Sequence, residues 1–291
     1  MTASEHAPNG KTVALYWDFE NLHAALFEEK AGEGAYGTGD VRFKPQDPLV
    51  DVQAVLEYAA SFGPIAINRA YCNWQFYGRY RHALLQGAVE LIQLFPPGSS
   101  AKNGADIKLC LDAAEDIVRL DHIGTVVVVG GDSDFMPLSQ KIKAAGRTLV
   151  GVGTRRSTNR HWAKSCHEFR FYENLVGVGE AAPAAEQTDA PAAAIDPKHA
   201  AFETVKRAIK LLADNKGDPW VNKAGIWHMV KRLDPTFDPK EVGYTPFSAM
   251  IKAMEGDVLE VRKGQFDQQV RMREGSPAEP KPKKQPVGTT R

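Results

Sequence analysis

Four aspartates of this 291-residue chain have the residue type and spacing to build a metal-binding edge. Asp18 stands in YWDFENL, where a short apolar, β-rich run ends. Asp132 and Asp134 stand in GGDSDF, directly after TVVVV, with Ser133 between them. Asp106, in KNGADIKL, opens a helical stretch after a glycine-containing loop. Oxygen-only donors with no His or Cys among them favour a hard cation, Mg2+ or Mn2+. Such an ion can supply hydroxide and neutralise the charge that develops on a phosphodiester. Each aspartate also suits a plainer role, because an Asp at a strand exit or helix start is a common N-cap or turn residue. Spacing alone leaves both roles open. Acids recur at three element ends, and that recurrence points to convergence.

Convergence needs elements that bring those ends together. Hydrophobic patterning predicts strands over 12–17, 64–72, 89–95, 125–129 and 148–152. Helices are expected over 48–62, 77–86, 106–120, 133–145 and 159–166, the first with Asp47 as N-cap and Pro48 at its first position. Four consecutive valines, Val126–Val129, read as a strand buried on both faces, as in the middle of a parallel sheet. Repeated β-α units with glycine turns predict a doubly wound parallel α/β sheet. Ligands of such sheets sit beyond the carboxyl ends of the strands, where the aspartates fall. Segment 28–46, with Gly32, Gly34, Gly37 and Gly39, fits no element and reads as a mobile insertion near the exit of the first strand.

Composition bounds the rest. With 43% hydrophobic and 25% charged residues, disorder throughout, collagen and coiled coil are excluded. Lys+Arg 36 cancels Asp+Glu 36, so only the distribution of charge is informative. Residues 1–176 carry 18 basic against 20 acidic side chains, and 177–197 has four acids and no base. Residues 198–273 carry 14 basic against 10 acidic, and the tail 274–291 carries 4 against 2. An acidic front is thus joined to a basic rear. The Ala/Pro-rich 177–197 lacks the apolar surface to offset ordering entropy and reads as a linker; 274–291 reads as a flexible basic tail. Cys72, Cys110 and Cys166 form no CxxC pair, which argues against a disulfide framework or a cysteine zinc site. The polar N-terminus and the lack of any apolar run near ~18 residues imply a cytoplasmic protein with no membrane contact.

The blocks YWDFENL, KNGADIKLCLDAAED and VVVVGGDSDFMPLSQKIKAAGRTLVGVG, in this order, resemble the three signatures of the NYN domain. That family is a branch of the PIN-like, metal-dependent nucleases, and the nearest likeness is to its LabA-like members. The resemblance covers residues 11–176. It implies a PIN-like α/β/α fold, an acidic Mg2+ or Mn2+ site and endonucleolytic cleavage of RNA. Asp18, Asp106, Asp132 and Asp134 match the family's catalytic metal-site acids. Asn21 matches the polar residue after the first acid, and Asp112 a second recurrent acid of the middle block. Ser133, Asn21 and Asp112 are read as supporting the ligands; Asp112, six residues beyond Asp106, lies on a different helix face. One departure is Phe19, where the family usually has a small residue.

The rear, 198–273, resembles the LOTUS (OST-HTH) domain through VNKAGIWHMVKRLDPTFDPKEVGYTPFSAMIKAM followed by VLEVRKG. Helices over 201–214, 223–233 and 246–254, then a hairpin of 258–261 with 268–272, predict a winged helix-turn-helix. The resemblance implies RNA binding, with single strands the expected form, and protein partners for some members. Lys223, Lys231, Arg232, Arg262 and Lys263 are the expected RNA contacts here. Arg155 and Arg156, just past a strand end in the front domain, are the expected backbone-phosphate contacts. A non-catalytic RNA-binding scaffold with a vestigial acidic rim is the alternative to the ribonuclease. Other features argue for less. His161, Cys166 and His167 lack a fourth zinc ligand, and His23 suits a partly buried helix position better than a proton shuttle. Trp74, Phe76 and Tyr77 suit core packing better than base stacking. No DxD follows the first strand, as phosphatases of the haloacid dehalogenase type require, and no GxGxxG marks a dinucleotide site.

Overall fold

The computed structural model describes residues 12–95, 104–177, 196–264 and 268–273. The expected linker, apart from its ends, and the basic tail lie outside them. The described residues form two compact units, the first comprising 12–177 with 234–236, the second 196–233 with the described residues from 237 onward.

The first unit is a six-stranded parallel sheet. Its strands are β1 (Thr12–Asp18), β2 (Ile65–Cys72), β3 (Glu90–Gln93), β4 (Ile123–Val129), β5 (Thr148–Gly153) and β6 (Glu168–Phe171), in the order β3-β2-β1-β4-β5-β6. The helices are α1 (Phe19–Ala31), α2 (Val52–Ala60), α3 (Arg81–Gln86), α4 (Gly104–Arg119), α5 (Met136–Ala144), α6 (Arg160–Ser165) and α7 (Tyr172–Leu175). The chain reverses direction across the sheet between β1 and β4, which pair directly with Trp17 opposite Val129. The ends of these two strands are therefore neighbours.

Period-two patterning explains why the centre of this sheet is so apolar. On β1, Val13, Leu15 and Trp17 enter one core layer while Ala14 and Tyr16 enter the other. On β4, Val127 and Val129 face the first layer and Val126 and Val128 the second. Both strands are buried on both faces, as the valine run predicts.

Two local expectations are corrected. The helix expected from Pro48 begins only at Val52, capped by Asp51, whose Oδ1 accepts the Ala54 N–H at 3.0 Å. The backbone N–H groups of Leu49 and Val50 instead donate to the Tyr80 hydroxyl, and that of Asp51 to the Tyr172 hydroxyl. Distant tyrosines thus hold this segment extended despite a good local helix signal. The insertion after α1 is also pinned at two buried points. Tyr36 meets Tyr77 hydroxyl to hydroxyl at 2.6 Å, and Gln46 is 4% exposed beneath α1.

The second unit packs α8 (Pro197–Lys216), α9 (Lys223–Leu233) and α10 (Phe247–Ala253) with a three-stranded sheet. Its strands β7 (Val221–Asn222), β8 (Leu259–Lys263) and β9 (Gln268–Met272) are antiparallel in the order β7-β9-β8. Val205, Ile209, Ile226, Val230, Met250 and Val270 form its core. Among the described residues no helix is long and apolar enough to cross a membrane.

Candidate active site

The site is built on adjacent strand exits and one helix start. Asp18 ends β1 and caps α1, its Oδ1 accepting the Asn21 N–H at 3.4 Å. Asp132, just past β4, caps the Ser133–Phe135 turn, its Oδ1 accepting the Asp134 N–H at 3.1 Å. The Ser133 hydroxyl donates to the same oxygen at 3.3 Å. The capping reading and the site reading are therefore compatible, because a carboxylate has two oxygens and capping occupies one.

Asp106, Asp132 and Asp134 converge, with one carboxylate oxygen from each lying within 4.8 Å of the others. Asp18 lies beside Asp106, is only 3% exposed, and its Oδ2 is buried with no hydrogen-bond partner. Burial, with the negative charge of Asp106 beside it, holds the Asp18 carboxyl well above its usual range. Asp106 is raised as well, first by burial and then by the charges of Asp132, Asp134 and Glu20. Three converging carboxylates, with an orphaned buried carboxylate oxygen beside one of them, are a donor set that a hard cation satisfies. Opposed carboxylates without such an ion repel.

Gly130 and Gly131 give this edge its close packing. A Cβ on Gly130 would lie 2.6 Å from the Phe135 ring and 3.3 Å from the Asp18 Cβ. Neither glycine has a positive φ, so space rather than torsion is what they provide. The Trp162 indole donates to the Gly130 carbonyl at 2.8 Å and fixes the turn from behind. Phe19, the departure from the family pattern, points away from the acids. It is fully buried among the Trp74, Tyr77 and Tyr80 rings; Tyr77 is buried in that core, and Trp74 and Phe76 pack partly buried against it.

Helix α4 is fastened by hydroxyls from the sheet. The Tyr16 hydroxyl donates to Asp116 Oδ2 at 2.7 Å, and Arg69 Nη1 reaches the same oxygen at 2.5 Å. The Tyr71 hydroxyl donates to Asp112 Oδ2 at 2.8 Å, while Lys108 holds Oδ1. Asp112 is thus outside the acidic triad and secures the helix that carries Asp106.

The remaining candidates divide. The Arg155 guanidinium lies 4.7 Å from the Phe171 ring centroid and donates to Asn174. Arg156 pairs with Glu33 at 3.1 Å. In the second unit Lys223 donates to Gln268, and Arg262 stacks 4.1 Å over Trp220. Arg232 and Lys263 are exposed. Lys231 is corrected: it is 6% exposed, and its ammonium donates to the Phe237 carbonyl at 3.2 Å, so it belongs to the interior. Among the described residues the zinc set does not assemble, since Cys166 is buried on the Trp162 carbonyl and His167 Nδ1 accepts the Leu149 N–H. Burial, reinforced by the Asp106 and Asp134 charges, raises the Cys110 thiol to about 11, so it stays protonated. Sequence reasoning missed Glu20, whose charge is felt at Asp106, and a polar groove of about 220 Å³ formed by Asn21, Gly131, Asp132, Ser157, Thr158 and Asn159. Glu20 lies in the same YWDFENL block as Asp18, so its signal was present; the groove draws on the first turn of α1 and two loops distant in sequence and left none.

With this geometry in place, the family model for the NYN domain matches residues 12–173. That is more than half of the chain, and the chain belongs to the NYN domain family, whose members are usually nucleases acting on RNA. An uncharacterized protein of Methanocaldococcus jannaschii is 33% identical over 104 residues, 36% of this chain and 40% of that protein. The similarity therefore spans less than half the length of that relative. A crystal structure of a protein of unknown function from Vibrio parahaemolyticus superposes with a TM-score of 0.45 at 18% identity, covering 59% of this chain and 98% of that one.

Proposed function

We propose that the first unit is a metal-dependent endoribonuclease with Asp18, Asp106, Asp132 and Asp134 as its catalytic acids, and that the second unit is an RNA-binding module of the LOTUS type. The observation that carries this reading is the convergence of one carboxylate oxygen each from Asp106, Asp132 and Asp134 within 4.8 Å, with the buried Asp18 carboxyl beside Asp106. Asp106, Asp132 and Asp134 would hold Mg2+ or Mn2+, with Asp18 closing the set from the buried side. A hard cation bound there supplies charge neutralisation at a phosphodiester and a lowered pKa for a water. The chain contributes positioning. Two strand exits and the start of α4 fix the carboxylates, and the Asn21 side chain and the Ser157–Asn159 loop wall the groove beside Asp132. Arg156, in an exposed ion pair that exchanges readily, and Lys223, Arg232, Arg262 and Lys263 would bind backbone phosphates. The wing-like β8–β9 hairpin and the three helices support the winged-helix reading of the second unit.

The test is cleavage of labelled single-stranded RNA with Mn2+ and with EDTA, by wild type and Asp132→Asn. Metal-dependent products from wild type alone are expected, with RNA affinity of the variant intact. Equal cleavage by both proteins removes the site assignment. Tight RNA binding with no cleavage by wild type would favour the scaffold reading.

A further inference from the structure

The insertion between α1 and α2 carries a small tip that the acid site does not use. Val41–Phe43 forms a 3-10 turn in which Phe43 is 48% exposed, although its ring packs edge-on against Phe76 at 5.9 Å. The Arg42 guanidinium lies 5.0 Å from the Phe43 ring centroid, and Lys44 follows, exposed. Arg42 also makes an ion pair with Glu20 at 3.7 Å, the acid whose charge reaches Asp106. An ion pair this long and partly exposed holds weakly and gives way to a better anion.

The tip is rigidly mounted. Gln46 Nε2 donates to the carbonyls of both Val41 (2.8 Å) and Lys44 (2.7 Å), bracketing the turn. Gln46 Oε1 meets His23 Nε2 at 3.0 Å, and His23 Nδ1 meets the Tyr80 hydroxyl at 2.9 Å. That hydroxyl already accepts two backbone N–H groups, so its own proton goes to Nδ1 and the imidazole Nε2–H donates to Gln46. His23 belongs to α1, the helix capped by Asp18. One buried hydrogen-bond chain thus ties the tip to the helix that starts at the acid site.

We infer that the Val41–Phe43 turn is a contact for single-stranded RNA, with Arg42 moving from Glu20 to a backbone phosphate and Phe43 offering its face to an unpaired base. This rests on the ribonuclease reading for its substrate. A guanidinium next to an exposed aromatic ring is the pairing that single-strand binding requires, because every base has a face to stack and every linkage a charge to meet. A duplex keeps its bases stacked on one another and gains nothing from the ring.

The test uses the full chain with a fluorescein-labelled 12-nucleotide oligouridylate, read by anisotropy in EDTA, and cleavage kinetics in Mn2+. Arg42→Ala is expected to weaken binding and to flatten the plot of log affinity against log salt by about 0.7, one phosphate contact on a single strand. Phe43→Ala is expected to weaken binding about tenfold with an unchanged salt slope, and Phe43→Trp to restore it. Both alanine variants should raise KM while kcat holds. Phe43 is exposed and Arg42 partly so, and neither belongs to the buried core, so folding is preserved. Wild-type affinity, salt slope and KM in both alanine variants overturn the inference, as does an equal loss for a blunt RNA duplex on Phe43→Ala. A wild type that binds RNA through these residues but never cleaves it leaves this inference standing and removes the nuclease reading.

Discussion

The Tyr71 hydroxyl donates a 2.8 Å hydrogen bond to Asp112, which places β2 in direct contact with the helix whose first turn carries Asp106. An acid that family resemblance groups with the site therefore acts by anchoring α4. Tyr71→Phe removes one buried hydrogen bond and leaves Asp112 with Lys108. The expected cost is about 1 kcal/mol in urea unfolding, together with weaker Mn2+ affinity by calorimetry as Asp106 loses its fixed position. A stability loss with unchanged metal affinity would show that Asp112 anchors the helix without tuning the site.

Asp116 is the more exacting anchor, because it is buried and its Oδ2 receives both Tyr16 and Arg69. Arg69→Ala leaves a buried carboxylate without its cation and is expected to cost about 3 kcal/mol. Arg69→Met combined with Asp116→Leu and Tyr16→Phe removes both charges and the hydroxyl that would lose its acceptor, and should recover most of that loss in the same urea titration. Recovery identifies the stranded charge, and not lost packing, as the cause.

Gly130→Ala is expected to be poorly tolerated despite the small change. The new methyl would sit 2.6 Å from a buried ring, so the turn or Phe135 must shift, at a cost of about 1–3 kcal/mol. Since the same turn positions Asp132, metal-dependent activity should fall with it. Adding Phe135→Leu should restore part of the melting temperature.

Burial lowers the pKa of His23 below 6.5, and burial acts in the same direction on His167. The unfolded chain therefore binds more protons than the folded one as pH drops through that value. The stability from the neutral imidazoles is present above pH 6.5 and is lost as pH falls toward the folded pKa values. Unfolding free energy measured between pH 7.5 and 5 should decline, with a shallower slope in His23→Gln.

The parallel sheet and its central strands were legible because β1 and β4 are short, apolar and bounded by glycine or acid. The acids were legible because strand exits in this architecture face one edge. What escaped was set by contacts distant in sequence. Asp47-Pro48 is a sound helix-start signal, yet the hydroxyls of Tyr80 and Tyr172 take the N–H groups of Leu49, Val50 and Asp51. Strand β6, EFRF, is only four residues long and was not predicted. The glycines of 28–46 suggested mobility, but Tyr36 and Gln46 find buried partners elsewhere in the chain. Lys231 looked like a phosphate contact, although its helical position turns it inward onto the Phe237 carbonyl.

If Asp18 serves the proposed metal site, its unshared oxygen sets the native fold against that role. Asparagine at that position would still cap α1 while removing a carboxyl whose ionisation burial and Asp106 both oppose. A chain crippled in catalysis should then melt at a higher temperature than its parent when both are free of cations. Saturating Mn2+ should reverse the ranking, since only the parent has the full charge set to draw the ion in. Thermal ranking with and without the ion thus reads the site without any turnover.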